Sequence, residues 1–171
     1  GGIVVHTADP LLNNLFIIDN IAATVGGGIA IRDNSNPTLS SVTITNNSTG
    51  SGGYGGGGGM YLSSSSPTLT GVTFSGNTAV YGGGISLLDS SPTLTNSILW
   101  GNSSEEIYFN ENGSPNSITI TYSDIQGGEA GIVTNDNGTV YWGDGNIDAD
   151  PLFCDTGNGD FTLASNSPCV G

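Results

Sequence analysis

Two side chains in this sequence, His6 and Arg32, exhaust its basic chemistry; there is no lysine, and fifteen residues are Asp or Glu. Proton abstraction beside a uronate carboxyl needs such a base, often with calcium to neutralise the acid. His6 follows Val5 as Arg32 follows Ile31, so the two occupy equivalent places in successive segments and can lie near each other at a surface. Hydrolysis of a glycosidic bond needs two carboxylates instead. Asp33 and Asp89 each stand four residues after the apolar residue that follows a glycine pair, with Ser64 equivalent between them. Two segments apart is about 10 Å if the segments are stacked strands, at or beyond the limit for an inverting pair. Both also sit where turns favour Asp. A third set, Asp144, Asn146, Asp148 and Asp150 with Asp155 beyond, alternates oxygen ligands as a calcium loop does, although Ala149 stands where such a loop carries glycine. Cys154 and Cys169, in a chain rich in Ser, Thr, Asn and Gly, read as an extracellular disulfide. Sequons at Asn46, Asn47, Asn102, Asn112 and Asn137 could carry glycans, with Asn46, Asn112 and Asn137 the accessible ones.

The charge balance excludes whole classes of partner. A formal net charge of −14 repels nucleic-acid phosphates and anionic lipid, so neither nucleic acid nor membrane insertion is expected. No apolar run approaches the roughly 20 residues that cross a bilayer as a helix. The chain starts at Gly1 rather than Met and reads as a processed form or a segment of a longer protein.

What positions these residues is a repeat. Gly-Gly-apolar steps at 1–3, 27–29, 58–60 and 83–85 precede Pro10, Pro37, Pro67 and Pro92, and ten residues after each proline comes Asn20, Asn47, Asn77 or Asn102. Between proline and asparagine, apolar residues fall in columns: Leu12, Leu39, Leu69, Leu94; Leu15, Val42, Val72; Ile17, Ile44, Phe74, Leu99. Alternation with Thr and Ser marks short strands buried on one face, and another strand follows each glycine pair. Three short strands per unit, repeated in register, predict one turn each of a parallel β-helix, in which every strand pairs with its equivalent in the next coil. The asparagines are predicted to point inward as a hydrogen-bonded ladder. A worn fifth coil follows, in which Ile125 takes the Leu99 column and Gly128 the asparagine place. Residues 1–128 are therefore read as coils and 129–171 as a C-terminal coil and cap within one continuous domain.

These residues resemble a known family. The Gly-Gly-Ile step paired with Ile17-x-x-Asn20, Ile44-x-x-Asn47, Phe74-x-x-Asn77 and Leu99-x-x-Asn102 is similar to the repeats of polymorphic outer membrane proteins. The stretches 97–102, 122–128, 146–153 and 167–169 resemble the closing segment of large secreted bacterial β-helix proteins of the pectate-lyase-like fold. The resemblance implies an all-β, right-handed parallel β-helix of about five to six coils, with an irregular, disulfide-bonded C-terminal cap. It further implies an exported, extracellular or cell-surface scaffold, non-catalytic and adhesive or structural. It also explains 146–153 as a structural connector, so that no cofactor is required, with calcium the one candidate.

Three surface expectations complete the reading. Thr38, Ser40, Thr68, Thr70, Thr93, Thr95, Thr119 and Thr121 should form an outward ladder, which leaves ice binding as a lesser alternative to carbohydrate binding or a carbohydrate-active enzyme. The glycine-rich stretch 50–59 reads as a protruding loop. At the first coil Leu12, Leu15, Phe16, Ile17 and Ile18 all read as core, and that coil should pair head to tail with a second copy or with adjoining coils of a longer chain.

Overall fold

The computed structural model describes residues 1–50 and 56–170, so the centre of the expected protruding loop lies outside the described residues. The described chain is a parallel β-solenoid of about five turns, each contributing one strand to each of three long sheets. The first sheet stacks Ile3–His6, Ile29–Arg32, Met60–Ser63, Ile85–Leu88 and Ile107–Phe109. The second stacks Leu11–Asn13, Thr38–Ser40, Thr68–Thr70, Thr93–Thr95, Asn116–Thr121 and Gly138–Trp142. The third stacks Phe16–Ile18, Thr43–Thr45, Thr73–Ser75, Ile98–Trp100 and Asp124–Ile125. Register follows the expected columns, with Leu39, Leu69, Leu94 and Ile120 aligned in one sheet and Ile17, Ile44, Phe74, Leu99 and Ile125 in another. Apart from Ile17 at its end, these side chains are fully buried, because period-two alternation turns each inward, while in the second sheet the flanking Thr38, Thr68 and Thr93 are exposed.

The strands are kept short by three columns of left-handed turn residues. Thr7, Asp33, Ser64 and Asp89 close the first strands; Asn14, Ser41, Gly71, Asn96, Tyr122 and Gly145 close the second; Asp19, Asn46, Gly76 and Gly101 close the third, all with φ between 49 and 75°. Asn, Asp and Gly adopt this conformation most readily, which is why they dominate the columns.

The glycine pairs have a different cause, the close approach of neighbouring coils. A Cβ on Gly27 would lie 2.4 Å from the Gly58 carbonyl oxygen and 2.6 Å from that of Ser48. Gly27→Ala must therefore push coils apart, and urea unfolding should report a loss of about 2 kcal/mol, the usual cost of overpacking. A loss indistinguishable from zero would mean that the coils yield without strain.

The parallel pattern continues beyond the fifth turn. Val133 bridges Tyr108, Gly138–Trp142 pairs with Asn116–Thr121, and Ile147 bridges Asp124. Buried Ile132 and partly buried Val140 and Trp142 close that end of the core. The remaining chain forms an antiparallel hairpin, Phe153–Asp155 with Asp160–Leu163, whose Phe153 and Phe161 rings meet edge to face at 5.4 Å. It folds back along the side of the third sheet, where Gly76, Trp100 and Gly101 face Leu152, Phe153 and Phe161 across a crevice.

Two expectations are corrected. Cys154 and Cys169 are both free thiols: Cys154 is exposed in the hairpin, whereas the half-buried Cys169 thiol donates to Asp124 Oδ2 at 3.1 Å. The cap is held by that contact, by Ser167 Oγ donating to the Pro151 carbonyl, and by ring packing, with no disulfide. Phe16 and Ile18 are not core. Their register partners are Thr43 and Thr45, so they take outward positions and are 77% and 37% exposed.

Candidate functional site

The asparagine ladder forms as predicted, and it has a direction. Asn20 Nδ2 donates to Asn47 Oδ1 at 2.9 Å, Asn47 Nδ2 to Asn77 Oδ1 at 3.0 Å, and Asn77 Nδ2 to Asn102 Oδ1 at 2.8 Å. Each receiving oxygen also accepts the backbone N–H of the preceding asparagine at 3.0 Å. The second amide hydrogen of Asn47, Asn77 and Asn102 goes to the carbonyl of Ile17, Ile44 or Phe74 one coil earlier. Every polar atom of a middle rung is thus satisfied without water.

The ladder ends on a carboxylate, in place of an asparagine-like residue at Gly128. Asn102 donates its backbone N–H to Glu106 Oε1 and its amide to Glu106 Oε2. Two donors that share one oxygen in every earlier rung are here divided between two. Glu106 is 6% exposed, and burial pushes its carboxyl from an ordinary 4.5 up to about 7 against the lowering effect of those hydrogen bonds, with Asp124 adding a smaller upward push.

Two further ladders were not anticipated. Ser35, Ser65 and Ser90 accept the backbone N–H of Ala8, Ser35 and Ser65, and Asn116 Oδ1 accepts that of Ser90. Ser97, Ser123 and Asn146 repeat the scheme under the next turn column. The signal was available for the first of these, since Ser35, Ser65 and Ser90 each lie two residues before a repeat proline.

Asn146 therefore points inward, its amide donating to the Ile120 and Gly143 carbonyls. The other members of the calcium set are dispersed. Asp148 accepts from the Gly127 N–H, Asp150 from Leu152 and Asp155 from Asn158, while Asp144 supplies its carbonyl to Tyr122. Among the described residues no group of three or more His, Cys, Asp or Glu is gathered in a metal-binding arrangement.

His6 and Arg32 do share a register, one coil apart. His6 Nδ1 lies 2.7 Å from Asp33 Oδ2, both side chains more than half exposed, while the Arg32 guanidinium sits 5.7 Å over the Tyr61 ring. Asp89 is drawn elsewhere and accepts the Ser114 N–H. The hydrolase pair is thus divided between two unrelated contacts. Burial raises the Asp124 carboxyl and pushes the Cys169 thiol up to about 12, so Cys169 is a poor nucleophile at neutral pH.

Of the sequons, Asn46 and Asn112 are exposed, whereas the Asn137 amide donates to the Asn110 carbonyl at 2.8 Å. Asn47 and Asn102 are buried in the ladder. The Thr rows of the second sheet face outward in register, and Thr95 and Thr121 hydroxyls lie 3.2 Å apart.

No curated protein and no solved structure matches the chain. One family model does, described as the right-handed β-helix region. Its match runs over residues 1–166 and covers every turn of the solenoid, and on that ground the chain belongs to the right-handed β-helix family.

Proposed function

We propose that the chain is a non-catalytic structural or adhesive module of an exported surface protein, built to stack coil upon coil. The observation that carries this reading is the engagement of its chemistry-bearing side chains: Asn146, Asp148, Asp150 and Asp155 are each committed to a turn or ladder hydrogen bond, and Asp33 and Asp89 to separate contacts. The acidic, lysine-free composition supports an extracellular or cell-surface setting.

The stacking surface is the face of the first coil. Its strands Ile3–His6, Leu11–Asn13 and Phe16–Ile18 are each paired on one side only, and no described donor reaches Asn20 Oδ1. Around it Val4, Leu11, Phe16 and Ile21 are 69–77% exposed, where the next coil carries Ala30, Thr38, Thr43 and Ser48. A second copy docked head to tail, or adjoining coils of a longer chain, would pair those edges.

The purified chain should leave acidic and neutral polysaccharides uncleaved, with or without calcium. Its mass by light scattering should rise with concentration, and Phe16→Asp should return it to the mass of one chain. Polysaccharide turnover would refute the non-catalytic reading, and a monodisperse single-chain mass at every concentration would refute head-to-tail stacking.

A further inference from the structure

The returning hairpin leaves a groove of about 850 Å³ against the turns that join the second and third sheets. Small-molecule sites usually fall between roughly 300 and 1,000 Å³. We infer that this groove binds a neutral saccharide, with Tyr122 as its stacking platform.

Tyr122 breaks the rule of its column. The equivalent residues are Asn14, Ser41, Gly71, Asn96 and Gly145, all small, whereas Tyr122 holds a large ring at φ 49°. That conformation is costly for an aromatic residue, and strain of this kind collects at functional positions. The ring is also held. A Cβ on Gly145 would lie 2.3 Å from Tyr122 Cδ1, so the ring rests on the Gly145 backbone, yet the residue stays 61% exposed. An aromatic side chain fixed from beneath and open above gives stacking area with little ordering cost.

The surroundings select the ligand class. Among the lining residues none is basic, the Asp124 carboxyl lies beneath, and the chain carries a net charge of −14, so an anionic ligand is disfavoured. The Asn96 side chain, one coil from Tyr122, is exposed and makes no hydrogen bond among the described residues, and Thr73 and Thr162 bring hydroxyls to the two walls. The Asn96 amide and the Thr73 hydroxyl are free to bond the hydroxyls of a neutral sugar, Thr162 Oγ1 donates to Asp160 Oδ1 at 2.6 Å and keeps only acceptor capacity, and the aromatic face suits the sugar's C–H face. The groove is lined by no residue of the first coil, its nearest wall at Thr73 lying two coils from Phe16, so sugar binding and stacking are tested separately.

The test is an NMR titration of the full chain with cellotriose, maltotriose, xylotriose and mannotriose, with digalacturonate as the anionic comparison. At least one neutral sugar should give saturable shifts at Gly71, Asn96, Tyr122 and Thr162, and digalacturonate none. Tyr122→Asn restores the residue type the column prefers, so it should fold at least as stably while binding weakens about tenfold or more. Tyr122→Phe should keep most of the affinity. No saturable shift at these amides with any neutral sugar, unchanged affinity in Tyr122→Asn, or tighter binding of digalacturonate would each overturn the assignment.

Discussion

Asn77→Ala is expected to lower the unfolding free energy by about 4 kcal/mol, and the melting temperature by ~10 °C for a chain of this size. The side chain is fully buried in the middle of the ladder. Its removal deprives the Asn47 N–H and amide of their common acceptor, takes the amide donor from the Ile44 carbonyl and takes one of two donors from Asn102 Oδ1. Loss of a partner at a buried polar group costs about 1–3 kcal/mol each, and the vacated volume adds to it. The comparison is Asn46→Gly, one residue earlier. Asn46 is an exposed turn residue at φ 56°, which glycine adopts freely, and its replacement should change stability by less than ~0.5 kcal/mol. Equal effects of the two substitutions in urea unfolding would remove the ladder from the account of stability.

Glu106 should make the protein less stable as pH rises. Its folded pKa of about 7 lies above the ordinary 4.5, so its stabilising contribution is full below about 4.5 and is lost as pH rises through about 7. The displacement corresponds to roughly 3 kcal/mol between the two limits. Asp124 faces the same region and titrates upward with it, and the general acidity of the chain acts in the same direction, so the wild-type slope alone is not diagnostic. Glu106→Gln isolates the group. Gln stays neutral across the range and sets its Nε2 against one Asn102 donor, a cost that does not vary with pH. The variant should therefore lose less stability than wild type between pH 5 and 8, by roughly 2.5 kcal/mol. Parallel curves for the two proteins would contradict the assignment.

The columns of the solenoid could be read from the sequence because inward positions demand one property at a fixed phase. Leu39, Leu69 and Leu94 need only be apolar, and Asn47, Asn77 and Asn102 need an amide that can accept and donate along one axis. Serine ladders were harder to see, because serine also takes outward and turn places here, as at Ser40, Ser41 and Ser64, and its type alone carries no direction. Phe16 and Ile18 misled for the opposite reason. Four apolar residues in succession, Leu15 to Ile18, hide the alternation, and only alignment with Thr43 and Thr45 shows which of them face out. Glu106 and Tyr122 could not be found by repetition. Glu106 stands by register where the earlier coils carry the second glycine of the pair, so residue type gave no hint of it, and Tyr122 matters because it differs from its column. In the acidic set at 144–155, Asn146 answers to the serine ladder and Asp148, Asp150 and Asp155 bond to separate turns, an arrangement their alternation in sequence does not reveal.

The direction of the ladder also sets an order in time. Each asparagine gives its backbone N–H and one amide hydrogen to the residue of the following coil, so a coil that has left the ribosome keeps those two donors unmatched until the next 25 to 30 residues arrive. Folding must then trail emergence by one turn, each coil being completed by its successor. Because Glu106 receives the two forward donors of Asn102, its backbone N–H and one amide hydrogen, from within four residues, the last wait is the shortest, and the trailing end of the ladder locks without further chain.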